Sequence, residues 1–294
     1  MRFEGRIYRP PSESDSLLIQ LTVGCSHNRC AFCAMYVEKR FHLRPLDEVW
    51  EDVDAAARLY PNTRRVFICD GDALSAGVET FAALCEHINA RFPRLERIAA
   101  YTNARDLLRC SPEDLRRLRG LRFSLGYLGL ESGSAAVLEL IRKGATPEDM
   151  MEMARVARDA DIALSVIVLL GAGGQALTED HIRGTIAVVN AMQPKYLSFL
   201  TAMIVPHTPL MTWTGQGTFQ PLTDRAILHE ARAMLDGLEL RDTLFRMNHV
   251  SNRIALGGRL PADKAALLRQ LDALLPRARE TVTCVCTEEE GLML

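Results

Sequence analysis

The sequence predicts an α/β fold: a partial barrel of six strand–helix units, (βα)6, followed by a C-terminal extension of helix and strand. Strand-like segments alternate with segments of helical periodicity along residues 16–210. Residues 163–170 are apolar without alternation, as in a parallel strand that is covered on both faces. Two helices begin with a Ser/Thr-Pro-Glu-Asp pattern, which combines a capping hydroxyl with a proline suited to the first helical position, at residues 111–114 and 146–149.

The elements follow in order. Residues 1–15 are polar and rich in proline, and predict an N-terminal arm without regular structure that lies extended across the barrel. A loosely ordered terminus is the alternative. The barrel core, residues 16–210, is predicted to contain strands at 17–23, 65–69, 97–101, 123–130, 163–170 and 196–204, with helices at 45–60, 111–120, 147–159 and 178–192. Ser75 is predicted to cap a further helix. The extension, residues 211–294, holds helices at 223–238 and 263–275 and packs on the barrel.

Composition limits the class of protein. The chain has 294 residues, is 48% hydrophobic and has a formal net charge of −2, so it can bury a substantial core and gives no electrostatic reason to expect nucleic acid as a partner. The start lacks the apolar core of a signal peptide, and no apolar run approaches the ~18 residues that cross a bilayer. We therefore expect a cytoplasmic protein without membrane contact. In that reducing compartment the eight cysteines indicate metal binding and packing rather than disulfides.

Three of these cysteines, Cys25, Cys30 and Cys33, follow the first strand with the spacing Cys-x4-Cys-x2-Cys. Such a loop can wrap its sulfurs around one inorganic centre. A zinc site usually needs a fourth ligand, for which His27 and His42 are the nearby candidates. A 4Fe-4S cluster held by three thiolates would leave one iron open to an exogenous molecule. Spacing alone leaves the cluster, zinc and three unliganded buried thiols as open alternatives.

The loop, with Phe32 directly before the last cysteine and a strand directly upstream, resembles the radical S-adenosylmethionine (radical SAM) family. That family usually has Cys-x3-Cys-x2-Cys, so the extra residue between Cys25 and Cys30 makes this a variant motif, as in a subgroup of uncharacterised bacterial members. The resemblance implies a radical-SAM-type barrel. It also implies a 4Fe-4S cluster on Cys25, Cys30 and Cys33, S-adenosylmethionine on its open iron, and Phe32 among the cofactor-binding residues.

Polar residues follow the predicted strands, where ligands of parallel α/β sheets collect. After the second strand come Asp70, Gly71 and Asp72, two carboxylates around a glycine that lets backbone approach a ligand. Such a turn can receive an ammonium group, and an ordinary Asp-Gly turn is the alternative. The resemblance implies that this turn binds the amino group of the methionine part of the cofactor.

The fourth strand ends at Glu131 and Ser132, a carboxylate and a hydroxyl that suit ribose hydroxyls. The resemblance implies that both face the nucleoside or amino acid part of the cofactor. It also implies that Arg142 or Lys143, further along, reaches the cofactor carboxylate. A solvated helix end that is favoured by the helix dipole is the alternative for these two.

The fifth strand ends at Leu170 and Gly171, which open a glycine-rich turn without the lysine or full spacing of a phosphate loop. The resemblance implies that this turn contacts adenine. Near the C terminus, residues 245–252 combine an apolar start with polar residues in a way unusual for a simple strand. They resemble a segment of the same bacterial subgroup, so we expect Arg246, His249 and Asn252 at the substrate site. A satisfied structural network is the alternative.

Two further thiols, Cys284 and Cys286, can contact a second metal centre, although paired thiols without other ligands are more often bystanders. The resemblance implies an enzyme that cleaves S-adenosylmethionine reductively to a 5′-deoxyadenosyl radical, which abstracts hydrogen from a small-molecule or unknown substrate. An external electron donor of the flavodoxin or ferredoxin type is implied, and oxidoreductase, lyase and transferase chemistry all stay open. The alternatives are an iron–sulfur electron-transfer protein and a zinc-stabilised α/β binding protein, neither of which cleaves S-adenosylmethionine.

Overall fold

The computed structural model describes residues 1–286. Within them the strands are β1 (Leu17–Gln20), β2 (Thr22–Val23), β3 (His42–Leu43), β4 (Arg65–Cys69), β5 (Arg97–Thr102), β6 (Phe123–Glu131), β7 (Ala163–Leu170), β8 (Tyr196–Thr201), β9 (Thr243–Met247) and β10 (Leu256–Leu260). The helices are α1 (Leu46–Leu59), α2 (Val78–Arg91), α3 (Ala104–Leu107), α4 (Pro112–Gly120), α5 (Ala135–Leu140), α6 (Pro147–Asp159), α7 (Thr178–Met192), α8 (Pro209–Gly215), α9 (Asp224–Gly237) and α10 (Lys264–Leu274). Short 3-10 helices span Pro11–Glu13, Ala73–Ala76 and Leu275–Arg277.

The chain divides into two compact units. The first comprises Met1–Asn28, Met35–Leu128 and Glu152–Leu164, and the second comprises Arg29–Ala34, Gly129–Met151 and the residues from Ser165 onward. Among the residues that the structure describes, no helix combines the length and the apolar character that crossing a bilayer requires.

In the first unit β1, β4, β5 and β6 lie side by side in that order and run parallel. The register places Ile19 beside Ile68, and Ile68 beside Ala100. Four consecutive residues of β4 are buried, because a parallel strand with crossover helices is covered on both faces. The carboxyl end of β4 therefore emerges from a rigid, fully packed strand.

In the second unit β7, β8 and β9 run parallel, and β10 pairs antiparallel with β9. Strand β7 has the predicted bounds and is buried at all but two positions. The prediction of a mostly parallel α/β fold is confirmed. Strand β10 escaped prediction because its centre, Gly257-Gly258-Arg259, has no apolar alternation.

The predicted helix starts are confirmed at both Ser/Thr-Pro-Glu-Asp sites. The Asp114 backbone N–H donates to Ser111 Oγ at 3.1 Å, and the Ser111 backbone N–H donates to Asp114 Oδ2 at 2.8 Å. Thr146 and Asp149 exchange the same two bonds, at 3.1 and 2.9 Å. These signals are local, so the sequence alone contains them.

Two local predictions were wrong. The predicted strand 17–23 is interrupted at Leu21. Before this residue β1 pairs with β4, and after it β2 pairs antiparallel with β3. Ser75 does not cap α2; its hydroxyl donates to the Asp72 carbonyl oxygen at 2.6 Å within a 3-10 helix, and Gly77 precedes α2 instead. A positive φ of +87° at Gly77 makes the turn that separates the two helices.

The arm contains one short 3-10 helix, Pro11–Glu13, where the sequence predicts no regular structure. Glu13 is fully buried and accepts hydrogen bonds from Arg97 and from the Tyr127 hydroxyl, both at 2.6 Å. Nearer the N terminus, the Arg2 backbone N–H donates to Asp52 Oδ1 of α1 at 2.9 Å. The arm is thus attached to the first unit by buried polar contacts. The division of the chain at residues 15 and 210 stays a prediction.

Candidate cofactor site

The turn Asp70–Asp72, called here the acidic turn, follows β4 and fixes the backbone beside Cys25. Asp70 Oδ2 accepts a hydrogen bond from the Gly24 backbone N–H at 2.8 Å, and the Gly71 N–H donates to the Gly24 carbonyl oxygen at 2.9 Å. A Cβ on Gly71 would lie 2.6 Å from Cys25 Cβ. Only glycine permits this close approach of the two chain segments. The acidic turn therefore sets the position of Cys25.

The Asp70 carboxylate is fully buried and is used by the protein itself. Lys39 Nζ lies 2.9 Å from Oδ2 and 3.1 Å from Oδ1, and Gln20 Nε2 donates to Oδ2 at 2.9 Å. The sequence predicts that the acidic turn receives an ammonium group. The ammonium group that Asp70 receives in the structure is that of Lys39.

Asp72 holds the residue on the other side of Cys25. Its carboxylate accepts hydrogen bonds from the Ser26 backbone N–H at 3.1 Å, from the Ser26 hydroxyl, and from Asn103 Nδ2 at 3.2 Å. Burial raises the pKa of Asp72; the bonds from Ser26 oppose the shift, the Asp106 charge adds to it, and the net direction is upward. The acidic turn is therefore hydrogen-bonded to the residues on both sides of Cys25, Gly24 and Ser26.

The segment Arg29–Ala34 of the second unit carries the other two thiols and is anchored differently. The Ala31 N–H donates to the Ile141 carbonyl oxygen at 2.8 Å, and the Ala31 carbonyl oxygen accepts from the Leu210 N–H at 2.9 Å. Phe32 packs against two clusters of buried residues: Val137, Leu138, Ile141, Leu169, Ala172 and Ala202 in one, and Ile204, Leu210 and Phe219 in the other. Phe32, predicted to bind a cofactor, is thus the apolar anchor of this segment.

An ion pair supplies positive charge beside these two thiols. Lys143 Nζ donates to Glu131 Oε1 at 2.8 Å. Burial lowers the pKa of Lys143, but the charges of Glu131, Cys30 and Cys33 raise it further, so the net shift is upward. A Cβ on Gly129 would lie 2.0 Å from Glu131 Oε1, so the carboxylate folds back over a glycine. A lysine that stays charged favours the thiolate form of a nearby cysteine.

Arg142 points to a different partner from Lys143. Its guanidinium lies 5.0 Å from the centre of the Trp213 ring, and the residue is exposed. This cation–π contact holds the exposed side chain over the ring.

Ser132 is fully buried in a network with α7. Its hydroxyl accepts from the Ser134 N–H at 3.0 Å and lies 2.8 Å from His181 Nδ1. His181 Nε2 lies 3.2 Å from the Leu169 carbonyl oxygen, which can only accept, so Nε2 carries the proton and Ser132 donates to Nδ1. Burial lowers the pKa of His181 to about 4, which keeps the ring neutral. Ser132 thus fixes the loop that carries Glu131 and exposes no surface of its own.

Leu170 and Gly171 are both buried, and Gly171 lies against α9. The Gly171 N–H donates to Glu230 Oε2 at 2.5 Å, and a Cβ on Gly171 would lie 2.7 Å from Ile227 Cδ1. The Thr178 hydroxyl donates to Glu230 Oε1 at 2.7 Å, and burial raises the pKa of Glu230 to about 7. Sequence reasoning missed Glu230; the signal was an acid on the apolar face of an amphipathic helix.

Arg246 lies on β9 with small residues beside it in register, Ser198 of β8 and Gly257 of β10. The residue is half-buried, and its side chain makes no hydrogen bond or ion pair with residues 1–286. A half-buried guanidinium in such surroundings can receive an anionic group from a ligand.

His249 and Asn252 belong to a turn that is bonded to the end of β8. Asn252 Nδ2 donates to the Phe199 carbonyl oxygen at 2.7 Å, and Asn252 Oδ1 accepts from the Thr201 hydroxyl at 3.0 Å. His249 Nδ1 lies 2.9 Å from Ser251 Oγ, and burial lowers the pKa of His249. Both residues therefore take part in a structural network.

Cys284 and Cys286 lie on either side of a single parallel bridge to Ile204. The Ile204 N–H donates to the Cys284 carbonyl oxygen at 2.8 Å, and the Cys286 N–H donates to the Ile204 carbonyl oxygen at 2.9 Å. Burial raises the pKa of Cys284 to about 11, so its thiol is protonated near neutral pH. This state suits packing better than metal binding.

The donor set fits an iron–sulfur cluster. Within residues 1–286 no group of three or more His, Cys, Asp or Glu side chains is arranged to hold a single metal ion. A 4Fe-4S cubane binds each thiolate at a different iron, so its ligands need not converge on one point. Three thiols on anchored segments, with a charged lysine beside two of them, provide that chemistry.

A parallel α/β fold with a three-cysteine loop after its first strand defines a class of iron–sulfur enzymes. Residues 19–187 match the family model of the radical SAM superfamily, and this is more than half of the chain. The chain belongs to the radical SAM superfamily. Enzymes of this superfamily use a 4Fe-4S cluster and S-adenosylmethionine for radical chemistry.

Solved structures of the superfamily share the fold. The radical S-adenosylmethionine methyltransferase TsrM from Kitasatospora setae is 20% identical, with a TM-score of 0.54, over 66% of this chain and 36% of that chain. Coproporphyrinogen III oxidase (HemN) from Escherichia coli is 16% identical, with a TM-score of 0.54, over 75% of this chain and 52% of that chain. Methylornithine synthase (PylB) is 14% identical, with a TM-score of 0.53, over 88% of this chain and 81% of that chain.

The chain thus spans between 36% and 52% of the length of TsrM and HemN. Comparison with curated protein sequences finds no match. At these identities the likeness concerns the fold.

Proposed function

We propose that Cys25, Cys30 and Cys33 hold the 4Fe-4S cluster and that the enzyme abstracts a hydrogen atom from its substrate. The observation that carries this proposal is the anchoring of the loop. Each thiol lies on a segment whose backbone is fixed by the protein, at Gly24 and Ser26 for the first thiol and at Ala31 for the other two. A nine-residue loop has no rigidity of its own, so such anchors are what a preorganised cluster site requires.

The bound cofactors would supply the chemistry: one electron from an external donor would cleave S-adenosylmethionine at its C5′–S bond into methionine and a 5′-deoxyadenosyl radical, which would take a hydrogen atom from the substrate. The residues of the chain bind, orient and exclude water. The donor, of flavodoxin or ferredoxin type, and a cytoplasmic location stay predictions.

We assign the cofactor-binding residues from the exposure and the chemistry of their side chains. Arg142 is exposed, and a guanidinium group suits the carboxylate of the methionine part because it can bind a carboxylate through two parallel hydrogen bonds. Glu131 uses Oε1 for Lys143, and Oε2 has no other partner among the described residues, which suits a ribose hydroxyl.

The remaining predicted residues position the site without contacting the cofactor, because their polar groups are hydrogen-bonded, or their apolar surfaces are packed, within the protein. This set comprises Phe32, Asp70, Gly71, Asp72, Ser132, Leu170 and Gly171.

Arg246, His249 and Asn252 are our candidates for the substrate side of the site. Arg246 has the strongest support, because its charge has no partner among the described residues. His249 and Asn252 would shape the site through the network at the end of β8.

The test is anaerobic iron–sulfur reconstitution, then reduction in the presence of S-adenosylmethionine and chromatographic analysis for 5′-deoxyadenosine. We expect a coloured protein with about four irons per chain and formation of the product. The His249→Ala variant is expected to keep the colour and the uncoupled cleavage. Cluster without product would favour the electron-transfer alternative, and colourless protein with bound zinc would favour the zinc alternative.

A further inference from the structure

A cavity of about 770 Å³ opens within the second unit at the carboxyl ends of β8 and β9. Thr201 and Met203 line it from the end of β8, and Met247 lines it from the end of β9. Its volume lies in the range of small-molecule sites, and it lies at the edge of the sheet where parallel α/β enzymes bind ligands.

The lining of the cavity combines an apolar wall with a positive rim. Ile227 and Leu228 of α9 and Leu274 of α10 join Met247 on the apolar wall. Arginines 253, 277 and 279 contribute to the rim, and Asp224 is the carboxylate among the lining residues that the structure describes. An apolar wall with a few convergent polar groups is typical of a ligand site.

The charges of the rim do not balance. Asp224 lies 3.9 Å from Arg253 Nε and accepts from the Thr283 hydroxyl, to which Arg253 Nε donates at 2.9 Å. Arg277 and Arg279 are exposed, and their side chains make no hydrogen bond or ion pair with residues 1–286. Two positive charges are therefore left at the entrance of an apolar cavity.

The wall is fixed without a ligand. The Thr201 backbone N–H donates to Ser251 Oγ at 3.1 Å, and the Thr201 hydroxyl donates to Asn252 Oδ1 at 3.0 Å. Because these groups are already bonded, they are not left unpaired when an apolar group fills the cavity. A fixed wall also lowers the ordering cost of binding.

We propose that this cavity is a second ligand site, separate from the one at Arg246, and that its ligand is an amphipathic anion. The side chain of Arg246 leaves β9 on the face opposite to Met247, which lines the cavity. The apolar part of the ligand fills the wall formed by α9, α10 and β9, and its carboxylate or phosphate group pairs with Arg277 and Arg279. Guanidinium groups bind either oxyanion through parallel hydrogen bonds. The inference rests on the cavity alone and does not depend on the proposed function.

The test is isothermal titration calorimetry of the purified chain with octanoate, octyl phosphate and octan-1-ol. Both anions are expected to bind at least about tenfold more tightly than the alcohol, and octanoate more tightly than butanoate because each buried methylene adds to affinity. The tighter of the two anions identifies the head group. Equal binding of the anions and the alcohol, or of octanoate and butanoate, would overturn the proposal.

A double variant, Arg277→Gln with Arg279→Gln, is expected to weaken anion binding about tenfold and to leave octan-1-ol unchanged. The matched control changes Arg241 and Arg269 to Gln, two exposed arginines of the same unit that do not line the cavity. An equal loss in the control would show non-specific charge attraction and would overturn the assignment.

Cleavage of S-adenosylmethionine without substrate separates this proposal from the proposed function. The Arg277/Arg279 double variant is expected to form 5′-deoxyadenosine at the rate of the unaltered chain. Formation of 5′-deoxyadenosine without selective anion binding defeats the cavity proposal alone. Selective anion binding without any 5′-deoxyadenosine defeats the proposed function and leaves the ligand class standing.

Discussion

The two segments of the cysteine loop are held by opposite kinds of interaction. The segment with Cys25 is held by carboxylates and backbone hydrogen bonds of the acidic turn. The segment with Cys30 and Cys33 is held by the packing of Phe32 and by two backbone bonds of Ala31. A polar anchor depends on geometry and protonation, whereas an apolar anchor depends on filled volume. The two segments of this loop can therefore be destabilised independently, by different kinds of substitution.

The largest expected effect removes a thiol and leaves both anchors intact. Cys30→Ala is expected to abolish the iron–sulfur colour and the formation of 5′-deoxyadenosine, because the remaining two thiolates cannot hold the cubane. Iron analysis and chromatography measure both. The control is Cys110→Ala, a half-buried thiol on the carbonyl oxygen of Asp106 at 3.4 Å, which keeps its cluster. A coloured, active Cys30→Ala protein would remove Cys30 from the ligand set.

Phe32→Ala tests the apolar anchor. Loss of a partly buried ring that packs against two clusters is expected to lower the free energy of unfolding by about 2 to 3 kcal/mol. Because no charge is involved, the loss is expected to be the same at pH 6 and pH 8. Urea denaturation of the metal-free chain measures it, with the exposed Phe3→Ala as the control. A loss that changes strongly with pH would contradict an apolar anchor.

Gly71→Ala tests the polar anchor. The new Cβ would lie 2.6 Å from Cys25 Cβ and 3.0 Å from the Gly24 carbonyl oxygen. We expect a destabilisation of about 1 to 2 kcal/mol and a lower iron content after reconstitution. Gly120→Ala, where a Cβ meets nothing within 4 Å, is the matched control. Full iron content in Gly71→Ala would show that the acidic turn does not position Cys25.

The last expected effect appears only as a change of stability with pH, and it concerns Glu230, a buried acid that accepts the Gly171 N–H and does not contact the cysteine loop. The pKa of Glu230 is raised from 4.5 to about 7, so between these values the folded chain holds a proton that the unfolded chain has released. Stability from this group therefore falls as pH rises through that range, by about 1 kcal/mol per pH unit. Glu230→Gln removes this dependence.

Urea denaturation from pH 5 to pH 8 measures this pH dependence as the difference in free energy of unfolding between the unaltered chain and the Glu230→Gln variant. The variant is expected to gain relative stability toward pH 8. A difference that is constant with pH would mean that Glu230 is charged in both states.

The sequence could predict what is encoded locally. The bounds of β7, the caps at Ser111 and Thr146 and the thiol spacing depend on neighbouring residues, so the pattern contains them. It could not show that Asp70 pairs with Lys39, 31 residues away, or that Glu230 receives a bond from Gly171, 59 residues away. Such pairs depend on which faces the tertiary fold brings together.

For the same reason the strand-end positions of the candidate residues could be predicted, whereas their hydrogen-bond partners could not. Asp70, Ser132 and Gly171 were singled out from strand ends, and the structure does place each at a strand end. Their side-chain and backbone groups are bonded to residues of other elements, which no periodicity in the sequence reveals.

Because Asp70 has its counter-ion in Lys39 and accepts the Gly24 N–H, the first half of the cysteine loop is held by contacts that involve no thiol. We therefore expect this half to keep its conformation in iron-free protein, which slow amide hydrogen exchange at Gly24 would show.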